Sequence, residues 1–219
     1  MTKADVRARI EKIGIIPAIR VSSTEDAHFA AEAIAGGGIP IVELTMTVPG
    51  AAGLIPGLLR DNPGLIVGAG TVLDTETARR CLDAGANFLT SPGFDPSVVE
   101  FAIDNDVVVF PGVLTPTEVM LAAKTGADFV KIFPASQLGG SRYIKALKDP
   151  FPHVPLMASG GVNQETALDF MLAGAFALGI GGALIPQEAI QQRQPHRIHE
   201  LARRFTAIVE EARARTTVE

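Results

Sequence analysis

One lysine in this chain stands among residues that do not suit a charge. The run Asp128–Phe133 has the composition of a short apolar strand, with Lys131 flanked by Val130 and Ile132. Side chains alternate along a strand, so Lys131 shares a face with Phe129 and Phe133, while Val130 and Ile132 take the other. An apolar pocket disfavours an ammonium ion, and the neutral amine is the form that attacks a ketone to build a Schiff base. The other lysines, Lys3, Lys12, Lys124, Lys145 and Lys148, fall in helical or polar stretches and are expected to be solvated. A second strand-like run, Ile39–Thr45, continues into Met46 and Thr47. Alternation puts Ile41, Glu43, Thr45 and Thr47 on one face, so Glu43 enters the same interior as Lys131. An amine and a carboxylate in one closed pocket can divide the work, the first as nucleophile and the second as mover of protons. The same pair also suits a structural salt bridge without chemistry, and residue types alone leave both readings open.

Other chemistry-bearing groups fall at the ends of similar runs. Arg20 ends the first run, and a guanidinium there can hold a carboxylate or phosphate in two-pronged fashion; a surface arginine entering a loop is the alternative. The third run ends in Gly68-Ala69-Gly70-Thr71, which permits close backbone approach and adds a hydroxyl at the rim. Pro92, Pro111 and Pro134 follow three further runs and stiffen their loops. The last two runs end in the glycine pairs Gly160-Gly161 and Gly181-Gly182. Glycines let backbone N–H groups converge on an anion, and two such pairs at neighbouring strand ends suit a phosphate; tight turns chosen for sterics are the alternative. Metal and triad readings fail, because His28, His153, His196 and His199 form no cluster at strand ends. Cys81, beside Arg79 and Arg80 in a helical stretch, suits packing better than nucleophilic attack. No Walker-type phosphate loop is present.

The elements that must position these groups come in alternation. Eight short apolar runs, Ile15–Arg20, Ile39–Thr45, Leu65–Ala69, Phe88–Ser91, Val107–Phe110, Asp128–Phe133, Val154–Ser159 and Ala175–Ile180, are separated by helical patterns. Those patterns include Thr24–Ala35, Thr75–Ala84, Pro96–Asn105, Pro116–Lys124 and Gln164–Ala173. Asp95, Thr115 and Asn163 are expected N-caps, and Gly85, Gly126 and Gly174 expected helix ends. A Gly-Ala step recurs at those three glycines, marking one β–α unit after another. An extra helix, Lys3–Lys12, precedes the first strand, and Pro195–Arg213 closes the chain; the polar tract Gln187–Gln194 is expected to be loop. Eight β–α units without a composition break predict an α/β fold, a (β/α)8 TIM barrel with an extra N-terminal helix, as one domain over residues 1–219. A doubly wound sheet is the structural alternative. Active sites of such barrels lie at the C-terminal ends of the strands, where the groups named above fall.

Composition narrows the function classes. Of 219 residues 47% are hydrophobic, enough for a sizeable core. The formal net charge of −5, the absence of Trp and the single Tyr argue against nucleic-acid binding. One cysteine rules out an intrachain disulfide and a multi-cysteine zinc site. No run of about 18 uninterrupted apolar residues exists, so no membrane span is expected. The N-terminus carries charges where a signal peptide needs an apolar run, so the expected location is cytoplasmic.

Taken together, Val-Glu-Leu-Thr at 42–45, Gly-Ala-Gly-Thr-Val at 68–72, Ser-Pro-Gly at 91–93, Phe-Pro-Gly at 110–112, Lys-Ile-Phe-Pro-Ala at 131–135, Gly-Gly-Val at 160–162 and Gly-Gly at 181–182 carry a resemblance. In order and spacing this set resembles the 2-keto-3-deoxy-6-phosphogluconate (KDPG) / 4-hydroxy-2-oxoglutarate (KHG) aldolase family. The resemblance implies a class I pyruvate aldolase, free of metal and cofactor, acting on a small 2-keto acid and usually a homotrimer. It implies Lys131 as the Schiff-base residue and Glu43 as the acid–base group. Arg20 and Thr71 would hold the pyruvyl carboxylate, Pro92 and Phe133 would wall the pocket, and Gly160, Gly161, Gly181 and Gly182 would cradle phosphate. Three positions depart: Thr47 stands where some members have arginine, Ala183 where some have serine, and Ser159 where threonine is common. These leave the reaction class and put the preferred aldehyde in question. The expected reaction is cleavage of 2-keto-3-deoxy-6-phosphogluconate to pyruvate and glyceraldehyde 3-phosphate, with 4-hydroxy-2-oxoglutarate giving pyruvate and glyoxylate. The phosphogalactonate epimer, a non-covalent phosphosugar isomerase or synthase, and a non-catalytic phosphometabolite-binding barrel are the competing readings.

Overall fold

The structure, a computed structural model, describes residues 1–216; residues 217–219 of the expected domain lie outside the described residues. The strands are β1 (Ile15–Ile19), β2 (Ile41–Thr45), β3 (Ile66–Gly70), β4 (Phe88–Thr90), β5 (Val108–Phe110), β6 (Gly112–Val113), β7 (Val130–Ile132), β8 (Leu156–Ser159) and β9 (Ala177–Ile180); each of the eight apolar runs is matched by one of them, and β6 lies just beyond the fifth run. Nine segments replace the eight expected because the fifth strand breaks at Pro111. Proline has no N–H for a ladder. Below the break β5 pairs with β4, and above it β6 pairs with β7. The order β5-β4-β3-β2-β1-β9-β8-β7-β6 therefore ends on two pieces of one strand, and the sheet is a nearly closed parallel barrel. Pairing of β1 with β9 rules out the doubly wound alternative.

The helices are α1 (Lys3–Ile13), α2 (Thr24–Gly36), α3 (Ala51–Asp61), α4 (Thr75–Asp83), α5 (Pro96–Asp104), α6 (Pro116–Lys124), α7 (Ser141–Lys148), α8 (Ala167–Leu172), α9 (Gln187–Gln191) and α10 (Pro195–Thr216). The expected caps at Asp95 and Thr115 form, the latter as a reciprocal box with Glu118. Asn163 caps a turn instead of the helix proper. Its Oδ1 accepts from Glu165 N at 2.9 Å and Thr166 N at 3.1 Å, and α8 begins only at Ala167. The tract expected as loop contains α9, which forms because Ala189 and Ile190 bury one side of it. Gly85, Gly126 and Gly174 each take φ between 85° and 97°, the left-handed conformation that ends a helix.

Two apolar clusters divide the molecule. Outward-facing strand residues such as Val130 and Ile132 join the helices in one. The other fills the lower barrel with Ile16, Ile41, Ile66, Phe88, Val108, Phe110, Phe129, Met157 and Ala177, and Val6 and Ile10 of α1 close it from below. The rings of Phe110 and Phe129 stack at 4.6 Å between centroids. Lys3 is not solvated as expected: it pairs with buried Asp128 at 3.0 Å and pins this plug. Lys148 is likewise half-buried, donating to the carbonyls of Pro152 and Val154 at 2.7 and 2.9 Å.

Candidate active site

Two residues beyond the apolar floor, the same strand faces turn polar or vanish to glycine. Ile41 is followed by Glu43, Ile66 by Gly68, Phe88 by Thr90, Phe110 by Gly112, Phe129 by Lys131 and Met157 by Ser159. The alternation that makes a core lower down thus delivers functional groups one step higher. Lys131 is 7% exposed and Glu43 3%. Lys131 Nζ lies 3.7 Å from Glu43 Oε1 and 3.5 Å from Thr90 Oγ1, with the Phe133 ring centroid 5.5 Å away.

Glycines make room for this cluster. A methyl group at Gly70 would overlap the Glu43 carboxylate, which lies across that strand, and one at Gly112 would overlap the backbone of Ser91 and Pro92. Only residues without a Cβ let β3 pass so close to Glu43 and β6 so close to the Ser91–Pro92 backbone.

The expected rim residues fall in two places. Arg20, Phe133, Gly160, Gly161, Gly181 and Gly182 line one cavity of about 470 Å3, together with Ser159 and Ala183. Lys131, Glu43, Thr71 and Pro92 are not on its wall; Phe133 joins it to the lysine. Arg20 has no ion-pair partner among the described residues. Thr71 directly follows β3 with φ 59°, a left-handed conformation that a β-branched residue rarely adopts and that costs roughly 1–3 kcal/mol. Pro92 abuts Gly112 through its backbone.

The departures from the family pattern have definite settings. Thr45 Oγ1 donates to the Ile19 carbonyl at 2.9 Å, and Thr47 Oγ1 is 2.8 Å from Thr45 Oγ1. Thr45 has one proton and spends it on Ile19, so Thr47 is the donor in the second bond. Thr47 is thereby tied to the strand end that carries Arg20. Ser159 lies over Gly179, where a methyl group would meet its Oγ at 2.7 Å.

Sequence reasoning missed two hydroxyls. Thr90 is fully buried beside Lys131, and its parity with Phe88 was the available signal. Ser136 packs against Gly161, its buried Oγ without a hydrogen-bond partner among the described residues; nothing in its local sequence marks it. Burial pushes the Cys81 thiol up to about 11, with Arg80 opposing weakly, and the sulfur sits 3.4 Å from Met46 Sδ. That is a packed thiol, not a thiolate nucleophile. Among the described residues no three His, Cys, Asp or Glu side chains are grouped as metal ligands, and no helix is long and apolar enough to cross a membrane.

The chain matches the family model described as KDPG and KHG aldolase over residues 6–201. It is 32% identical over 201 residues to the 2-dehydro-3-deoxy-phosphogluconate aldolase of Treponema pallidum, covering 91% of this chain and 95% of that one. The fold superimposes on the 2-keto-3-deoxy-6-phosphogluconate aldolase of Zymomonas mobilis ZM4, solved with 3-phosphoglycerate, with TM-score 0.85 at 27% identity, covering 94% and 97% of the two chains. It also matches the KDPG aldolase of Legionella pneumophila, solved with pyruvate captured at low pH as a covalent carbinolamine intermediate. There the TM-score is 0.83 at 31% identity, with 90% of this chain and 95% of that one covered. A buried lysine beside a carboxylate at the C-terminal end of a parallel barrel, and matches spanning nearly the whole chain, place this protein in the KDPG and KHG aldolase family.

Proposed function

We propose that this chain is a class I aldolase that reversibly cleaves 2-keto-3-deoxy-6-phosphogluconate to pyruvate and glyceraldehyde 3-phosphate, and 4-hydroxy-2-oxoglutarate to pyruvate and glyoxylate. The observation that carries this reading is Lys131 Nζ, buried and 3.7 Å from Glu43 Oε1. The amine attacks C2 of the keto acid, and loss of water leaves a protonated imine. As the C3–C4 bond breaks, its electron pair moves into the imine and Glu43 takes the C4 hydroxyl proton. The resulting pyruvate enamine is protonated at C3 and hydrolysed. Arg20 and Thr71 hold the carboxylate, Pro92 and Phe133 wall the keto acid, and the two glycine pairs receive phosphate through backbone N–H groups. Support for the last role is the single cavity of about 470 Å3 that both pairs line. The same reading takes the chain as one domain that needs no cofactor and works in the cytoplasm as a homotrimer. Sedimentation equilibrium tests the assembly, and a monomer mass would reject it.

The phosphate assignment has a direct test. Gly161 is a poor place to probe it, because φ is +82° and a side chain would strike Ser136. Gly182 lines the same cavity, and a Cβ there meets no atom within 4 Å. Gly182→Asp sets a carboxylate against the phosphate from a position where the added Cβ meets no neighbour. Like-charge juxtaposition costs several kcal/mol, so kcat/KM for the phosphorylated substrate is expected to fall at least ~100-fold, with a much smaller loss on 4-hydroxy-2-oxoglutarate. Equal losses on both substrates would mean that the cradle does not read phosphate.

A further inference from the structure

Thr90 is an expensive choice for its position unless its hydroxyl does something. The side chain is fully buried on the barrel interior, where valine would fill the same space without a polar atom. Its Oγ1 has one hydrogen-bond partner among the described residues, Lys131 Nζ at 3.5 Å. That is the outer edge of hydrogen-bond range, and catalytic hydrogen bonds are often long until substrate arrives.

Counting N–H bonds on the reacting nitrogen shows what such an oxygen can do. The ammonium ion has three, the neutral amine two and the protonated imine one. That last N–H carries the positive charge of the imine in a buried site, and an unpaired charged donor there is costly. Two acceptor groups approach Nζ: Glu43 Oε1 at 3.7 Å from β2 and Thr90 Oγ1 at 3.5 Å from β4. Glu43 is needed to take the C4 hydroxyl proton, and a carboxylate engaged with the imine N–H is a weaker base for that task.

We infer that Thr90 is a further catalytic residue, whose Oγ1 accepts an N–H of Lys131 in the neutral amine and again in the protonated imine. The inference rests on the reading of Lys131 as the Schiff-base nucleophile. In the attack step the Nζ lone pair forms the bond to C2, and the carbonyl π pair moves onto oxygen. One nitrogen proton transfers to that oxygen, giving the neutral carbinolamine. The hydroxyl then takes one more proton, from the Glu43 carboxyl or from solvent, and leaves as water while the nitrogen lone pair forms C=N. One N–H remains, directed at Thr90, and Thr90 keeps its own proton throughout.

The test compares wild type, Thr90→Val and Thr90→Ser. Each is incubated with pyruvate and borohydride, and the reduced adduct on Lys131 is followed in time by mass spectrometry; kcat and KM for aldol cleavage are measured alongside. Losing a hydrogen bond to a charged group corresponds to about 10- to 100-fold. Thr90→Val is expected to slow adduct formation and lower kcat by that factor, with KM changed by less than about threefold and an unfolding temperature near that of wild type. Thr90→Ser, which restores the hydroxyl, is expected to recover most of both rates. Trapping by Thr90→Val at the wild-type rate would overturn the assignment, and so would a Thr90→Ser variant as slow as the valine one. If the valine variant does not fold, Thr90→Ala against Thr90→Ser makes the same comparison. A wild-type adduct found away from Lys131 would be a different failure, removing the lysine assignment and this one with it.

Discussion

Lys131 and Glu43 were legible in sequence because each is a charge inside an apolar strand, and alternation alone assigns both to one interior. Thr90 was not, since threonine is an ordinary strand residue on either face; only the ring of neighbours reveals that it touches the lysine. Gly70 was recognised as a close-approach position, but not what approaches it, which is the Glu43 carboxylate. That contact separates catalysis from folding. Glu43→Gln is expected to keep trapping pyruvate while aldol cleavage falls roughly 100- to 10,000-fold, the range for general acid–base help. Gly70→Ala should reproduce much of that loss with Glu43 intact. The group it displaces is the end of a flexible side chain, so the fold can absorb it, and the unfolding temperature should stay close to wild type. Cleavage near the wild-type rate by Gly70→Ala or by Glu43→Gln would leave Glu43 as a structural ion-pair partner. Gly112 offers the contrast, because a methyl group there meets backbone that cannot swing aside.

The β–α unit was the most legible element, since its punctuation repeats. Asn87 Oδ1 accepts from Val67 N at 3.0 Å, and Asp128 Oδ2 accepts from Val109 N at 3.1 Å. Each sits one residue after a Gly-Ala step and stitches a strand to the one before it. The third Gly-Ala step, at Gly174, leads to Phe176 and lacks the device. Helices α3 and α7 were not singled out. Gly53, Pro56 and Gly57 lie inside α3, and α7 starts after Gly139-Gly140 with no side-chain cap, so packing against the barrel overrides weak local signals. Strong caps have a consequence in acid. The Thr115 backbone N–H holds Glu118 below its ordinary 4.5, and the Thr77 N–H and the Ser97 hydroxyl hold Asp74 and Asp95 below 3.8. All three are lowered in the folded state, so their contribution is complete above the ordinary carboxylate range and is lost as pH falls through the lowered values. The urea midpoint is therefore expected to drop below about pH 4.5, and Glu118→Gln, which caps without titrating, should make that drop shallower. An identical pH dependence in wild type and variant would rule out a contribution from this cap.

At the scale of the whole molecule the barrel has one closed end and one open end. The N-terminal helix plugs the bottom with Val6 and Ile10, and Asp128 ties it there through Lys3 and Arg7 at 3.0 and 3.7 Å. Sequence predicted this helix but not its task, because Lys3 looked like any solvated lysine. Above the plug a packed layer of aromatic rings closes the barrel from below, and Lys131 lies one strand step above it. The broken fifth strand belongs to the same design. Pro111 ends one ladder, yet its carbonyl still accepts from Lys131 N at 2.9 Å, so the closure of the barrel also fixes the strand that bears the lysine. An apolar floor, an amine set above it and a carboxylate 3.7 Å away are the arrangement on which the proposed covalent chemistry at Lys131 rests. Pyruvate with borohydride, followed by peptide mass spectrometry, reads that nitrogen directly. A reduced pyruvyl adduct on the peptide containing Lys131, absent in Lys131→Arg together with at least ~1,000-fold of the turnover, is the expected result. No adduct, or an adduct confined to another lysine, would contradict the account.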